Sequence, residues 1–310
     1  MEEIEIIWVR KICRATLSLS LTTLILTIPL KVFGIDLQPN DVVTPAPNKN
    51  FAMLSYYSTE NSTYLKNGAV ISRGPYVNPV IDNQNTILRV TTTYAVSSLV
   101  GASYIQLPYG NISPAGSLSN YSPSTGMGDT TLATVLWPYT DRNSQTYLGV
   151  AAYLTLPTGT YSNSQVFNMG ANRYTSDIQI GFQKRVAGNL DGMLAVDTMW
   201  FGGNSQCAAA CGSPTNVPLT QKPLTTTQLG PIYKIDQTFT VGASYFYVSG
   251  GATAINNNYQ NNVVNTQRFL LSGLAYTDIG RFSLQYGRDM GVQNGFIQTR
   301  VLAVRYTKDF

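Results

Sequence analysis

The sequence predicts an all-β fold: a transmembrane, antiparallel, up-and-down β-barrel of about 12 strands that follows a cleaved N-terminal signal peptide. Three observations predict it. Apolar residues alternate with polar or small ones along many segments, the connections between these segments alternate in length, and charge is scarce. Asp, Glu, Lys and Arg make up 12% of the 310 residues, about half the share usual in a soluble domain. Tyrosine (20 residues) and glycine (26 residues) are abundant, which excludes a disordered chain because disorder needs few aromatic residues and high net charge.

The N-terminus has the pattern of an export signal. Three basic residues precede an apolar stretch over residues 17–30. Val32 and Gly34 would stand three and one positions before a cut ahead of Ile35, so residues 1–34 are predicted to be removed. A membrane anchor is the alternative, but the apolar run is short and is interrupted by three threonines and a proline.

Period-two alternation is the main evidence for strands. Ile178, Ile180 and Phe182, for example, alternate with polar or small residues, which suits a strand and not a helix. Many of the runs reach ten residues or more, the length that crosses a bilayer at a tilt. The predicted strands cover residues 50–59, 86–96, 98–107, 128–138, 146–157, 174–186, 190–200, 222–234, 237–248, 266–277, 280–289 and 296–310.

The connections between these runs place the two ends of the barrel. The odd-numbered connections are long and rich in Gly, Pro and Asn, the last being of medium length, and the even-numbered ones are short turns. Because the mature chain starts in the periplasm, the long connections are predicted to be extracellular. Residues 50–310 therefore form the predicted barrel. Residues 35–49, which contain three prolines, are predicted to be a periplasmic linker, with a plug as the alternative.

The last strand ends in an aromatic residue. Phe310, with Tyr306, Val304 and Leu302 behind it at every second or fourth position, is similar to the C-terminal sorting signal of outer-membrane barrels. The predicted partners are therefore outer-membrane lipid and the barrel-assembly machinery. A soluble sandwich or lipocalin-like barrel would share the period-two signal, but strand length, loop alternation and this terminal aromatic residue argue against it.

Catalysis and cofactors are not expected. The chain has no histidine, which removes the usual general base and the commonest metal ligand. Phosphate-binding loops, calcium loops and nucleophile elbows are also missing, and the small net charge of +4 is unclustered, so nucleic acid is not an expected partner. A carboxylate-only mechanism at Asp177 or Asp197 is the weakest alternative. Cys207 and Cys211 are predicted to form a disulfide in an oxidising compartment.

Charged residues within the predicted strands are the candidate lumen residues. The lipid face penalises charge by about 2–4 kcal/mol near the midplane, so these side chains are predicted to point inward. There they would either bias passing solutes or pair across the lumen and fill it. The candidates are Arg89, Asp177, Arg185, Asp197 and Arg268.

A second group of candidates lies where the fifth run ends. Pro157 and Gly159 predict a strand that stops at the extracellular rim. Tyr161, Arg173 and Tyr174 would then line a solute mouth or only pack the loop, and loop packing is the interpretation we favour.

Three segments of the sequence resemble one known family. They are Gly128-Asp129 with Trp137-Pro138, the run over residues 147–161, and residues 168–173 leading into the next strand. They are similar to the MetA-pathway of phenol degradation family, whose members are Gram-negative outer-membrane proteins commonly labelled transporters. The resemblance implies an outer-membrane location and a barrel. It also implies a channel or facilitator for small solutes, aromatic or otherwise hydrophobic. The alternative is a non-conducting surface or structural barrel of the adhesin kind.

Overall fold

The computed structural model describes residues 36–310. The predicted signal peptide, residues 1–34, lies outside the described residues. Within residues 36–310, no helix is long and apolar enough to cross a membrane.

Twelve long strands of the described chain form one closed barrel. Each strand pairs antiparallel with the next in sequence, and β12 pairs with β1 to close the barrel. The prediction of about 12 strands is confirmed, and each predicted run falls within or overlaps one strand. The strands are β1 (Asn50–Lys66), β2 (Pro79–Val96), β3 (Leu99–Gly116), β4 (Thr130–Asp141), β5 (Thr146–Leu156), β6 (Thr175–Ala187), β7 (Leu190–Phe201), β8 (Leu224–Lys234), β9 (Phe239–Gly250), β10 (Val264–Thr277), β11 (Gly280–Val292) and β12 (Gly295–Asp309).

The outer face of the barrel is apolar and the inner face is polar. Ile180 on β6 is 51% exposed, whereas its neighbour Gln179 is 4% exposed. This inversion is expected when lipid replaces water around the barrel, because apolar side chains then cover the outside. The same apolar exposure occurs on every strand, at Leu54, Leu88, Ile105, Leu132, Val150, Ile180, Leu194, Leu229, Val241, Leu271, Leu284 and Val304.

The C-terminal strand closes the barrel. The backbone N–H of Phe310 donates to the carbonyl oxygen of Asn50 at 3.0 Å. The Tyr306 ring lies 4.9 Å from that of Phe282, and its hydroxyl donates to the carbonyl of Ile279 at 2.6 Å. Together with the outward Val304, these contacts bind the terminal strand to both of its neighbours.

The connections differ between the two ends of the barrel. The even-numbered connections have two to four residues, and the first five odd-numbered ones are longer. The eleventh connection was expected to be of medium length, but it contains only residues 293–294. β11 continues to Val292 and β12 begins at Gly295, so most of the predicted loop, residues 290–295, belongs to the two strands.

We call the long connections, which are predicted to be extracellular, the extracellular loops, and the short ones, which are predicted to be periplasmic, the periplasmic turns. The extracellular loops have secondary structure of their own. Four short strands, Asn204–Cys207, Val217–Gln221, Thr253–Ile255 and Asn258–Tyr259, form a separate sheet over one side of the barrel. Cys207 and Cys211 are joined by a disulfide beside this sheet. The pairing of Val217–Gln221 with Thr253–Ile255 holds the connections after β7 and β9 to each other.

Candidate functional site: the lumen and the N-terminal segment

The N-terminal segment, residues 36–48, lies inside the barrel. The N–H of Leu37 donates to Gln228 Oε1 on β8 at 3.0 Å, and Gln228 Nε2 donates back to the carbonyl of Leu37 at 2.7 Å. On another side of the lumen, Gln38 Nε2 donates to Gln285 Oε1 on β11 at 2.9 Å. The N-terminal segment has no regular secondary structure to satisfy its own polar groups. Inward side chains of different strands supply the hydrogen-bond partners instead.

Two carboxylates anchor the segment by ion pairs. Asp36 accepts from Arg268 Nη2 on β10 with both oxygens, at 3.0 and 2.9 Å. Asp41 pairs with Arg281 on β11 at 3.2 Å and with Arg305 on β12 at 3.0 Å. Burial raises the pKa of Asp36, which the charge of Arg268 offsets only in part. Burial would also raise the pKa of Asp41, but the charges of Arg305 and Arg281 hold it below its usual value.

The barrel wall leaves space for the segment at two glycines. A Cβ atom on Gly181 would lie 3.0 Å from Val42 Cγ2, and one on Gly242 would lie 2.7 Å from Pro39 Cγ. Trp137 Nε1 also donates to the carbonyl of Val42 at 2.9 Å. The sequence left two interpretations of residues 35–49 open: a linker, which we expected from the prolines, and a plug. These contacts favour the plug.

Of the predicted lumen charges, Arg89 lies beside an aromatic side chain. Its guanidinium donates to Gln106 Oε1 at 3.1 and 2.7 Å and lies 4.2 Å from the centroid of the Tyr104 ring. The Tyr104 ring is 6.3 Å from that of Tyr153, whose hydroxyl donates to Gln179 at 2.9 Å. This part of the lumen therefore presents aromatic faces as well as polar groups.

Asp177 and Asp197 lie together on the inner face of β6 and β7. They are 2% and 5% exposed, and Asp197 experiences the charges of Asp177 and Asp36. Both carboxylate oxygens of Asp177 and the Oδ1 of Asp197 have no hydrogen-bond partner within residues 36–310. Uncompensated buried carboxylates are costly, so this acidic pocket differs from the paired charges elsewhere in the lumen.

The other two predicted lumen charges have structural partners. Arg185 pairs with the fully buried Asp191 near the periplasmic turn, and Lys234 binds the same carboxylate at 2.9 Å. Arg268, 2% exposed, binds Asp36 of the N-terminal segment. Sequence reasoning identified both arginines as candidates but could not name their partners, which lie on other segments of the chain.

The predicted rim residues pack the extracellular loops. The Tyr161 hydroxyl donates to the carbonyl of Gln206 at 2.8 Å. The buried Arg173 lies 4.6 Å over the Phe201 ring, and burial lowers the pKa of its guanidinium to about 10. Tyr174 is 60% exposed on the outside. The arrangement of Tyr161 and Arg173 supports loop packing rather than a solute mouth.

Asp129 holds two extracellular loops together, a role that the sequence analysis did not assign. Its carboxylate accepts the N–H of Gly159 at 2.8 Å and that of Ala171 at 2.7 Å. A Cβ atom on Gly159 would lie 2.7 Å from the Cα of Gly170, so the two loops touch through their backbones. The signal was present in the sequence: Asp129, Gly159 and Gly170 all belong to the segments that resemble a known family.

We predict that Asp129→Ala increases trypsin cleavage after Arg173 in the intact barrel. Two charge-assisted hydrogen bonds, each worth about 1.5–3 kcal/mol when buried, are lost at a half-buried site. The cleavage rate should therefore rise by about tenfold, the equivalent of about 1.4 kcal/mol. Asp141→Ala is the matched control, since Asp141 also accepts two backbone N–H groups, of Asn143 and Ser144, but at a periplasmic turn. Equal cleavage of both variants would contradict the assignment.

An apolar cluster lies under the extracellular loops. The rings of Tyr64 and Tyr76 stack with centroids 4.4 Å apart, and Phe296 contacts Tyr64 edge-on at 5.1 Å. Strand ends and three loops contribute its buried members, which are Tyr64, Tyr76, Ile81, Ile112, Leu118, Phe167 and Phe296. The interior of the barrel is thus apolar at its extracellular end, whereas it is polar in the middle.

The barrel wall is interrupted next to this cluster. The paired register of β11 and β12 ends at Gly287 and Val301, although β11 continues to Val292 and β12 starts at Gly295. The Asp289 carboxylate instead accepts the N–H of Gln298 at 2.8 Å. We call residues 288–292 and 295–300 the β11–β12 seam.

Residues 66–306 match the model of the family described as "Putative MetA-pathway of phenol degradation". No curated protein matches the chain in sequence.

Among solved structures, the COG4313 outer membrane channel from Pseudomonas putida F1 is similar, with 23% identity and a TM-score of 0.82 over 89% of this chain and 100% of that one. The β domain of the Bordetella autotransporter BrkA is 8% identical, with a TM-score of 0.50 over 84% of this chain and 99% of that one. These likenesses agree with the outer-membrane barrel fold.

Proposed function

Because the chain belongs to the MetA-pathway of phenol degradation family, we propose that it is a passive, non-catalytic facilitator in the Gram-negative outer membrane for small hydrophobic solutes, aromatic ones among them. We propose further that residues 36–48 act as its plug. The C-terminal strand with Phe310 would be the part that engages the barrel-assembly machinery.

The observation that carries the proposal is the binding of residues 36–48 inside the barrel. The plug is bound to β4, β8, β10, β11 and β12 by hydrogen bonds and ion pairs. A barrel of this strand count is also narrow, and side chains fill much of its interior. A large hydrophilic solute would therefore meet a barrier that only displacement of the plug removes.

The apolar parts of the structure support a route for hydrophobic solutes. An aromatic solute can bury its surface against the extracellular apolar cluster and stack on rings such as Tyr104 and Tyr153. Phe296 belongs both to that cluster and to the β11–β12 seam. Because the seam lacks ladder hydrogen bonds, its separation would cost less than opening a fully paired wall.

A non-conducting surface barrel is the second candidate, and the same plug favours it. A lumen sealed by paired charges needs no solute, and the disulfide-linked loop sheet resembles a rigid surface platform. The two candidates differ in what happens when the plug is absent.

Planar-bilayer conductance distinguishes them. We expect the refolded protein lacking residues 1–34 to show rare, brief steps, and a variant lacking residues 36–48 to show stable steps that phenol reduces. Folding of both proteins is checked by heat-modifiable mobility on gels. A folded plug-deletion variant that stays silent would contradict the facilitator and favour the surface barrel.

A further inference from the structure

Two arginines face each other on the outside of the barrel at the β11–β12 seam. Tyr286 pairs with Leu302 in the β11–β12 register, and every second side chain of each strand points outward. Continued by two residues toward the extracellular end, this register brings Arg288 opposite Arg300, and both side chains are exposed. Like charges directly opposite each other destabilise a sheet. The pair is therefore stabilised by an anion that lies between the two guanidinium groups.

The arginine pair lies at the level of a membrane–water interface. Charge on the lipid face is costly at the midplane of the bilayer and costs little near the interfaces. Tyr and Trp are enriched at these interfaces, and Tyr286 precedes Arg288 by two residues on the outer face of β11. Further exposed aromatic side chains lie toward the extracellular ends of other strands, at Tyr109, Tyr174, Trp200 and Tyr247. The two guanidinium groups are therefore at the depth of the outer-leaflet headgroups.

Neither arginine is fully neutralised by the protein. No acidic side chain of residues 36–310 forms an ion pair with Arg288, whose Nε donates to the carbonyl of Asp289 at 3.5 Å. Arg300 Nη2 is 3.9 Å from the carboxylate of Glu60 on β1, and the two side chains are 48% and 37% exposed, so that solvent weakens this pair. Asp82, which faces Glu60 from β2, is one strand farther away. The charge next to the seam is therefore positive.

We propose that Arg288 and Arg300 together bind a phosphate group of the phosphorylated glycolipid in the outer leaflet, and that this phosphate joins β11 to β12. A guanidinium group binds phosphate through two parallel N–H donors, and basic sites at headgroup depth recognise phosphorylated lipids. The ladder between the strands ends at Gly287 and Val301, so the lipid supplies a link beyond that point. The inference goes beyond the proposed function because it holds for a conducting or a sealed barrel.

The first experiment titrates the delipidated protein in detergent with bisphosphorylated lipid A and counts the lipid adducts by native mass spectrometry. We expect saturable binding that Arg288→Gln/Arg300→Gln weakens by about tenfold or more, because charge-assisted hydrogen bonds from two guanidinium groups are lost. Arg73→Gln/Lys222→Gln is the matched control, since it removes the same charge at two exposed positions of the extracellular loops, and it should bind like the wild type. Heat-modifiable mobility on gels checks that each variant is folded.

Glu60→Gln tests the same contact in the opposite direction. The substitution releases Arg300 from its ion pair and removes a carboxylate that repels phosphate, so the affinity for bisphosphorylated lipid A should rise severalfold. A folding defect would lower the affinity instead. In the Arg288→Gln/Arg300→Gln background Glu60→Gln should have a much smaller effect, because it acts through Arg300.

Amide hydrogen exchange over residues 288–300 tests the link between the two strands. Bisphosphorylated lipid A should slow this exchange in the wild type and leave it unchanged in Arg288→Gln/Arg300→Gln, because a joined seam opens less often. Equal exchange with and without lipid A in the wild type would overturn the link.

Three binding results would overturn the proposal. Equal affinity for lipid A with and without its phosphates would assign recognition to the acyl chains. Full competition by inorganic phosphate at the concentration of the lipid would assign the arginine pair to a free anion. Wild-type affinity in both Arg288→Gln/Arg300→Gln and Glu60→Gln would place the lipid elsewhere on the barrel.

Discussion

Oxidation of the double variant Val42→Cys/Gly181→Cys is expected to reduce solute passage by about tenfold or more, equivalent to a bias of about 1.4 kcal/mol or more toward the closed state. Position 42 lies on the plug and position 181 on β6. A Cβ atom at position 181 lies 3.0 Å from one methyl carbon of Val42 and 3.6 Å from the other, so a sulfur at either methyl position is within bonding reach. The disulfide would tie the plug to the wall and remove the open state.

The measurement is phenol uptake into liposomes, together with step frequency in planar bilayers, before and after reduction. Each single-cysteine variant is a control for the loss of the Val42 packing and for the side chain added at Gly181. The wild type treated with the same reductant controls for the native Cys207–Cys211 disulfide. Undiminished passage through the oxidised, cross-linked variant would show that solute does not need the plug to move.

The barrel frame could be predicted from the sequence because lipid imposes a periodic pattern. Residues such as Ile178, Ile180 and Phe182 must face the bilayer at every second position, and all three are exposed on β6. The ends of the longest strands could not be predicted in the same way. β1 continues to Lys66 and β3 to Gly116, where the outward face is no longer in hydrocarbon and need not be apolar.

The candidate site could be predicted only in part. The cost of charge in lipid identified Arg89 and Arg268 as inward residues, but the partner of Arg268 is Asp36, 232 residues away in sequence. Nothing in a single sequence indicates such a cross-lumen pair. The lumen position of residues 36–48 could not be predicted for a related reason: their prolines suggest an extended linker, and only the facing glutamines and arginines of distant strands bind the segment inside the barrel.

Loss of the Asp41 carboxylate is the second large effect that we expect. Asp41→Asn removes two ion pairs, with Arg281 and with Arg305, and Arg305 is only 3% exposed. Breaking a buried pair and leaving one charge behind costs about 3 kcal/mol. If that cost acts on plug binding alone, the open state gains about a hundredfold in population. We therefore expect stable conductance steps from Asp41→Asn at neutral pH. The control Asp278→Asn, in the exposed turn between β10 and β11, should resemble the wild type.

Acidification should imitate this variant. The pKa of Asp41 is depressed when the plug is seated, because the charges of Arg305 and Arg281 outweigh the effect of burial. A carboxylate with a depressed pKa in the seated state stabilises that state fully above its ordinary pKa of about 3.9. This stabilisation is lost as the pH falls through the depressed pKa. Wild-type step frequency should accordingly rise below about pH 4, and Asp41→Asn should lack this rise. Asp36, whose pKa is raised, is present in both proteins, so its opposite contribution cancels in the comparison. An equal acid response of the two proteins would mean that a carboxylate other than Asp41 controls release of the plug.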